Sequence, residues 1–300
     1  MPMRHLLTPI SAESWTVAKS ADASKNEDRI LVGDEAMALA DGATDKTGII
    51  YRNGFTGGAN LADIAVQTAV KSRLNGYELI DEITASIKKF YESDNLDALN
   101  DSSKRAATTL MVARFSIDKL IITQVGDSSA RIRFADGSQA VLSNDKFIDE
   151  ENATTRQRTI SEELMRYRAE RNNPADGSEL DRIMARGRAA IQQRLSIQHI
   201  YQNSDNDQTY GYGVLDGTTV PRTYTDGTPT SYVKTYEYEM DSIESIELVT
   251  DGFYGQFPAD ATIAAYRKLH AKIHADDPYK ISAYPSTKPN DDASVVISSR

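Results

Sequence analysis

The chain has 300 residues, 40% of them hydrophobic, and carries 34 Lys and Arg against 44 Asp and Glu, a formal net charge of -10. That balance argues against a general nucleic-acid or anionic-membrane binder, which needs clustered positive charge, and suits a protein that gathers cations in an acidic pocket. Cysteine is absent, which excludes disulfides, thiolate-bound zinc and a cysteine nucleophile. No apolar run approaches the ~20 residues of a membrane span. The opening Met1-Pro2-Met3-Arg4-His5-Leu6-Leu7 has too short an apolar core for a secretory signal. A soluble cytoplasmic monomer is the expectation.

In chain order, β-branched and aromatic residues predict a first strand over 14–19. Residues 30–32 and 36–40 read as two more strands, turned at Gly33-Asp34. A glycine-rich stretch, 48–58, precedes two helices. The first shows Leu61, Ile64, Ala65 and Ala69 at helical spacing and the second Ile80, Ile83, Ile87 and Tyr91, with Asn75-Gly76 between them. Strands follow at 107–115, 120–125, 130–134 and 139–142, broken by Gly126-Asp127-Ser128 and Asp136-Gly137-Ser138. Strands joined by such tight turns are antiparallel. Residues 150–200 are charged and predicted helical, and residues 205–230 read as a mobile surface segment. A strand at 243–249, a helix running to about His270 and a buried strand at 292–298 complete the chain. The expectation is one α+β domain over 1–300, with an inserted helical and flap segment at about 145–240.

Four acidic turns stand at the edges of β-prone runs: Asn26-Glu27-Asp28, Ala40-Asp41-Gly42, Thr250-Asp251-Gly252 and Asn290-Asp291-Asp292. A carboxylate at a strand end followed by glycine lets a backbone carbonyl approach the same ion. The reading is that all four turns converge on one hydrated divalent-metal site. Each Asp-Gly taken singly is ordinary turn chemistry. Thr108 and Thr109 read as strand residues, and His5, His199, His270 and His274 as surface or helix residues without ligand spacing. Of the pair Asp291 and Asp292, whichever is not a ligand reads as a solvated strand-edge charge.

These stretches, in this order, resemble the type 2C metal-dependent Ser/Thr protein phosphatase family. The resemblance rests on Asn26-Glu27-Asp28-Arg29, Ala40-Asp41-Gly42, Ala107-Thr108-Thr109-Leu110, Val125-Gly126-Asp127-Ser128, Val249-Thr250-Asp251-Gly252-Phe253-Tyr254 and Asp291-Asp292-Ala293-Ser294-Val295-Val296. It implies a sandwich of two antiparallel β-sheets flanked by helices, with two Mg²⁺ or Mn²⁺ ions at one end. By matching position, Asp41 bridges the ions and the Gly42 carbonyl ligates one. Glu27 and Asp28 contact them directly or through water, and Asp251 and Asp291 complete the other site, which makes Asp292 the solvated strand-edge charge. The implied reaction is attack on a phosphoserine or phosphothreonine ester of a protein substrate by a water held between the ions, with Asp41 and Asp251 as the catalytic ligands. All-oxygen ligands independently select hard cations.

The chain departs from the pattern at three places. The arginine that precedes the first acidic motif in many members is replaced by Ala21, Asp22 and Ala23, leaving Lys25 or Lys19 as phosphate contacts. A third ion at Asp127 lacks its second carboxylate, because Gly255 stands there, and Ala43 follows the first Asp-Gly where others carry histidine. Two rival readings are therefore kept: an inactive relative that binds a phosphoprotein, and a phosphatase for a small phosphorylated metabolite.

Overall fold

The computed structural model describes residues 11–45, 47–171 and 175–299. Its strands are β1 (Ala12–Val17), β2 (Arg29–Val32), β3 (Ala36–Ala40), β4 (Gly42–Ala43), β5 (Ala107–Thr108), β6 (Leu110–Phe115), β7 (Lys119–Val125), β8 (Ser129–Phe134), β9 (Gln139–Leu142), β10 (Val233–Glu239), β11 (Ile243–Val249) and β12 (Ala293–Ser299). Its helices are α1 (Gly57–Lys71), α2 (Gly76–Asp94), α3 (Leu96–Asn100), α4 (Phe147–Arg171), α5 (Gly177–Ile197) and α6 (Ile263–Asp276). The strands form two antiparallel five-stranded sheets, ordered β1-β12-β11-β8-β9 and β10-β7-β6-β3-β2, plus the small pair β4-β5. Among the described residues, no helix is long and apolar enough to cross a membrane.

Alternation along the strands makes the layers. Met37 and Leu39 of β3 and Met111, Ala113 and Phe115 of β6 point inward to meet Ala130, Ile132, Ile246, Leu248 and Val296 of the facing sheet. Their neighbours Ala36, Ala38, Ala40, Leu110 and Val112 point outward and pack with α1 and α2. The alanines on that outer face leave room for α1 to lie close. On the opposite outside, Val249, Val295 and Ile297 are covered by Phe253 and by Tyr266 of α6.

The charged stretch 150–200 is helical as predicted and divides into α4 and α5; α5 starts where Asp176 accepts from the Glu179 amide at 3.0 Å. Two expectations are corrected here. Residues 205–230 are not surface throughout: Tyr212, Val214, Leu215 and Val220 are buried. Leu215 pairs with Thr108 by two backbone hydrogen bonds of 3.0 and 2.9 Å. The end of the 145–240 segment is sheet, because β10 pairs with β7 from Val233 to Glu239. Alternating Tyr236 and Tyr238 cover the sandwich edge beside β-poor Lys and Glu, so propensity alone hides the strand.

Candidate metal centre

Each expected acidic residue sits where a strand of the sandwich ends. Asp41 follows β3. Its carbonyl accepts from the Thr109 amide at 2.9 Å and the Thr108 hydroxyl at 2.8 Å, and its amide donates to the Thr109 hydroxyl at 3.2 Å. The two threonines thus hold the Asp41 backbone. Gly42 is required by close approach: a Cβ there would lie 2.4 Å from the Gly58 carbonyl oxygen at the start of α1. Asp251 follows β11 at the head of a short turn, and a Cβ on Gly252 would lie 2.1 Å from the carbonyl oxygen of Asp292. The two Asp-Gly glycines therefore let neighbouring segments touch.

The carboxylates form one cluster. Burial and the charges of Asp292, Asp291 and Asp251 push the Asp28 carboxyl up to about 7, against a hydrogen bond from Ser294. Burial, then Asp28 and Asp291, hold Asp41 well above the usual range, and burial, then Asp291, Asp41 and Asp127, do the same for Asp251. Asp28, Asp127 and Asp251 each keep a buried Oδ1 without any hydrogen-bond partner. Buried carboxylates that repel one another and leave oxygens unpartnered are costly unless a cation joins them. Among the described residues, no three acidic or histidine side chains are already drawn around a single point. Lysines supply the countercharge instead. Lys288 Nζ lies 2.5 Å from Asp291 Oδ2, and Lys146 Nζ 2.8 Å from Asp127 Oδ2. Burial alone would lower the Lys288 ammonium, yet Asp291, Asp251 and Asp41 push it up. An all-oxygen, buried, mutually repelling donor set of this kind fits hard divalent cations.

The remaining expected residues separate by their partners. Glu27 is fully engaged: its Oε1 accepts from Thr44 and, at 2.6 Å, from Thr56, and its Oε2 meets Lys19 Nζ at 2.9 Å. It ties the entrance of α1 to the first acidic turn. Asp292 is only 2% exposed, not the solvated charge expected. Its oxygens accept from the Lys19 amide at 2.7 Å and the Glu27 amide at 3.2 Å, so it clips the first acidic turn to β12. Asp291 accepts from the Asp292 amide at 3.0 Å and pairs with Lys288. Lys25 is exposed at the end of a single turn, whereas Lys19 is spent on Glu27 and Asp292. Gly255 sits in open space, and Asp127 is held by Lys146.

Several contributors escape a motif reading. Thr250 donates to Asp28 Oδ2 at 3.0 Å and accepts from the Ser294 amide at 2.9 Å, fixing Asp28 from the far end of the chain. Its position before Asp251 was visible, but its partner was not. Lys288 and Lys146 are distant in sequence from the turns they neutralise, except that Lys288 lies three residues before Asp291. Beside Asp41 opens a cleft of about 150 Å³, whose walls include Asp45, Arg105, Lys146, Gln202 and Tyr212.

Comparison with known proteins identifies a family profile and a shared fold. The family profile Protein phosphatase 2C matches residues 20–277. No curated protein matches the sequence. The crystal structure of the Mycobacterium tuberculosis serine/threonine phosphatase PstP/Ppp is similar, with a TM-score of 0.52 at 13% identity, covering 97% of this chain and 98% of that one. The catalytic domain of the serine threonine protein phosphatase PstP in complex with two manganese ions has a TM-score of 0.50 at 14% identity, covering 97% and 98%. A bacterial serine phosphatase has a TM-score of 0.50 at 12% identity, covering 97% of each chain. At these identities the likeness concerns the fold.

Proposed function

The chain belongs to the protein phosphatase 2C family, and from that premise we propose that it is a metal-dependent phosphomonoesterase acting on phosphoserine and phosphothreonine in proteins. The observation that carries the reading is the convergence of Asp28, Asp41, Asp251 and Asp291 from four chain segments, with a buried oxygen left unpartnered on Asp28 and on Asp251. These four, with the Gly42 carbonyl, would hold two Mg²⁺ or Mn²⁺ ions; PstP, a protein of the same fold, has been solved with two manganese ions. When bound, such ions offset charge on the phosphoryl oxygens and lower the pKa of water.

The chain's own residues set the stage. Thr108 and Thr109 hold the Asp41 backbone, and Thr250 holds one Asp28 oxygen while the other stays free. Glu27, Lys19 and Asp292 lock the first acidic turn to α1 and β12. No cysteine is present and none is needed, because the reaction needs no covalent phosphoenzyme. With the carboxylate set intact, nothing favours the inactive rival. The test is hydrolysis of p-nitrophenyl phosphate with and without Mn²⁺, in the wild-type chain and in Asp41→Asn. Metal-dependent turnover lost in the variant is the expected result. Equal turnover by wild type and Asp41→Asn would overturn the assignment.

A further inference from the structure

The cleft beside Asp41 holds two unsatisfied groups of opposite kind. Arg105 has a side chain only 15% exposed, and among the described residues its acidic partner is Asp216, with Nη1 to Oδ2 at 3.5 Å. Asp216 is 1% exposed and already accepts from Asn203 at 3.1 Å and from the Thr218 amide at 2.9 Å. The Arg105 Nε–H is buried without an acceptor, and Gln202 Oε1 is buried without a donor. Both residues line the same cleft, as does Asp41. A buried donor or acceptor left without a partner is costly, so a ligand that completes both gains on each side.

The chemistry of that ligand follows. The charge of Arg105 is already balanced by Asp216, and a carboxylate brought to Nε would set two like charges around one guanidinium. A neutral acceptor avoids this. Gln202 Oε1 asks for a donor while Arg105 Nε asks for an acceptor, so a ligand that carries both side by side satisfies the pair. A peptide main chain offers a neutral C=O and an N–H within one residue. Lys146 does not compete for it: its ammonium is 2.8 Å from Asp127 and 5.3 Å from the Tyr212 ring centre, closing the cleft floor.

We infer that this cleft seats the substrate's main chain beside the phosphorylated residue, with Arg105 Nε donating to a peptide carbonyl and Gln202 Oε1 accepting from a peptide N–H. The inference rests on the phosphatase reading above. Recognition of main chain makes the enzyme read the presence of a peptide rather than a particular flanking side chain.

The experiment compares KM and kcat for a short phosphothreonyl peptide and for p-nitrophenyl phosphate, with the Mn²⁺-loaded full chain and its variants Arg105→Lys, Arg105→Met and Gln202→Leu. Expected is a rise of about tenfold in peptide KM in each variant, equivalent to about 1.4 kcal/mol, with kcat little altered. The ratio of peptide to aryl-phosphate kcat/KM falls by the same factor. Arg105→Lys keeps a charge for Asp216, and Gln202→Leu disturbs no ion pair, so one of them reports even if Arg105→Met fails to fold. An unchanged ratio in the folded variants overturns the inference. Wild-type turnover of the aryl phosphate without the phosphopeptide also overturns it and leaves the phosphatase standing. Absence of turnover with either substrate overturns the phosphatase reading, and the cleft's role with it.

Discussion

Two acidic centres lie four residues apart, one in β11 and one in the short turn that follows it, and they are built in opposite ways. Glu247, in β11, is 0% exposed. Its Oε1 accepts from Arg131 Nε at 2.8 Å and Arg133 Nε at 3.1 Å, and its Oε2 from Arg131 Nη2 at 2.5 Å and the Tyr266 hydroxyl at 2.7 Å. Every lone pair there has a donor, and the fork of Arg131 meets the carboxylate in bidentate fashion. Four residues on, Asp251 has a buried oxygen with no donor and three carboxylates pushing against it. The first arrangement is complete within the chain and serves packing between β8, β11 and α6. The second is incomplete within the chain, and its missing part is cationic. Burial of charge alone therefore does not mark a functional site; burial without satisfaction does.

The sharpest break of that contrast comes from neutralising one acid in each centre. Asp41→Asn or Asp251→Asn should lower metal-dependent kcat/KM on the order of 10³-fold, about 4 kcal/mol of transition-state stabilisation. The same substitutions should leave the thermal midpoint of the metal-free chain unchanged or higher, because a like charge is removed. Steady-state kinetics beside a metal-free melting curve reads both. A large fall in midpoint for Asp41→Asn would mean that the acidic cluster is structural after all.

Glu247→Gln should behave in reverse. It strands Arg131 and Arg133 in a buried setting, and breaking such a pair costs about 3–5 kcal/mol. Urea unfolding measures the loss. The protein that remains folded should keep its metal-dependent turnover, since no atom of Glu247 reaches the aspartate cluster.

The motif-bearing ends of strands were the legible part of this molecule. Asp41 and Asp251 could be read because Asp-Gly turns after apolar runs carry local signatures, and Gly42 and Gly252 prove to be places where another backbone presses in. The sandwich could be read because period-2 alternation and tight turns are local as well. What stayed hidden is what depends on pairing across the chain. Thr250 reaches Asp28 over a separation of 222 residues, and Lys288 and Lys146 neutralise aspartates on other segments. Asp292 was misjudged because its polarity suggested solvent, whereas two backbone amides from the first acidic turn claim its oxygens. The segment 205–230 was misjudged for a related reason: glycine, threonine and aspartate look loose until Thr108 supplies a backbone partner.

A milder test leaves both centres intact and adds the missing cation. Saturating Mn²⁺, at about a hundred times its dissociation constant, should stabilise the native chain by about 2.7 kcal/mol, a shift of a few degrees in the melting midpoint. Asp41→Asn and Asp251→Asn should lose most of that shift, while Glu247→Gln should keep it from its lower baseline. A shift of equal size in all three would place the bound cation elsewhere.

The smallest expected effect concerns a half-buried ionisable group, which is neither saturated nor starved. His270 of α6 stacks edge-on to Trp15 at 5.5 Å and lies beside Phe253, with its Nε2 3.1 Å from that of His274. Burial first, then the charges of His274 and Lys280, lowers its pKa to about 4 from 6.5. A histidine with a depressed native pKa stabilises the fold fully above about 6.5, and that contribution is lost as pH falls toward and through about 4. Asp28 has the opposite sign in the metal-free chain: its raised pKa favours the native state at low pH, and that contribution is lost as pH rises through about 7. Replacing His270 by phenylalanine keeps the ring contacts and removes only the first titration. Melting midpoints of the metal-free chain between pH 7 and pH 4.5 should therefore decline less in His270→Phe than in wild type, by a few degrees because the ring is partly open to solvent. Parallel declines would assign the acid sensitivity to groups other than His270.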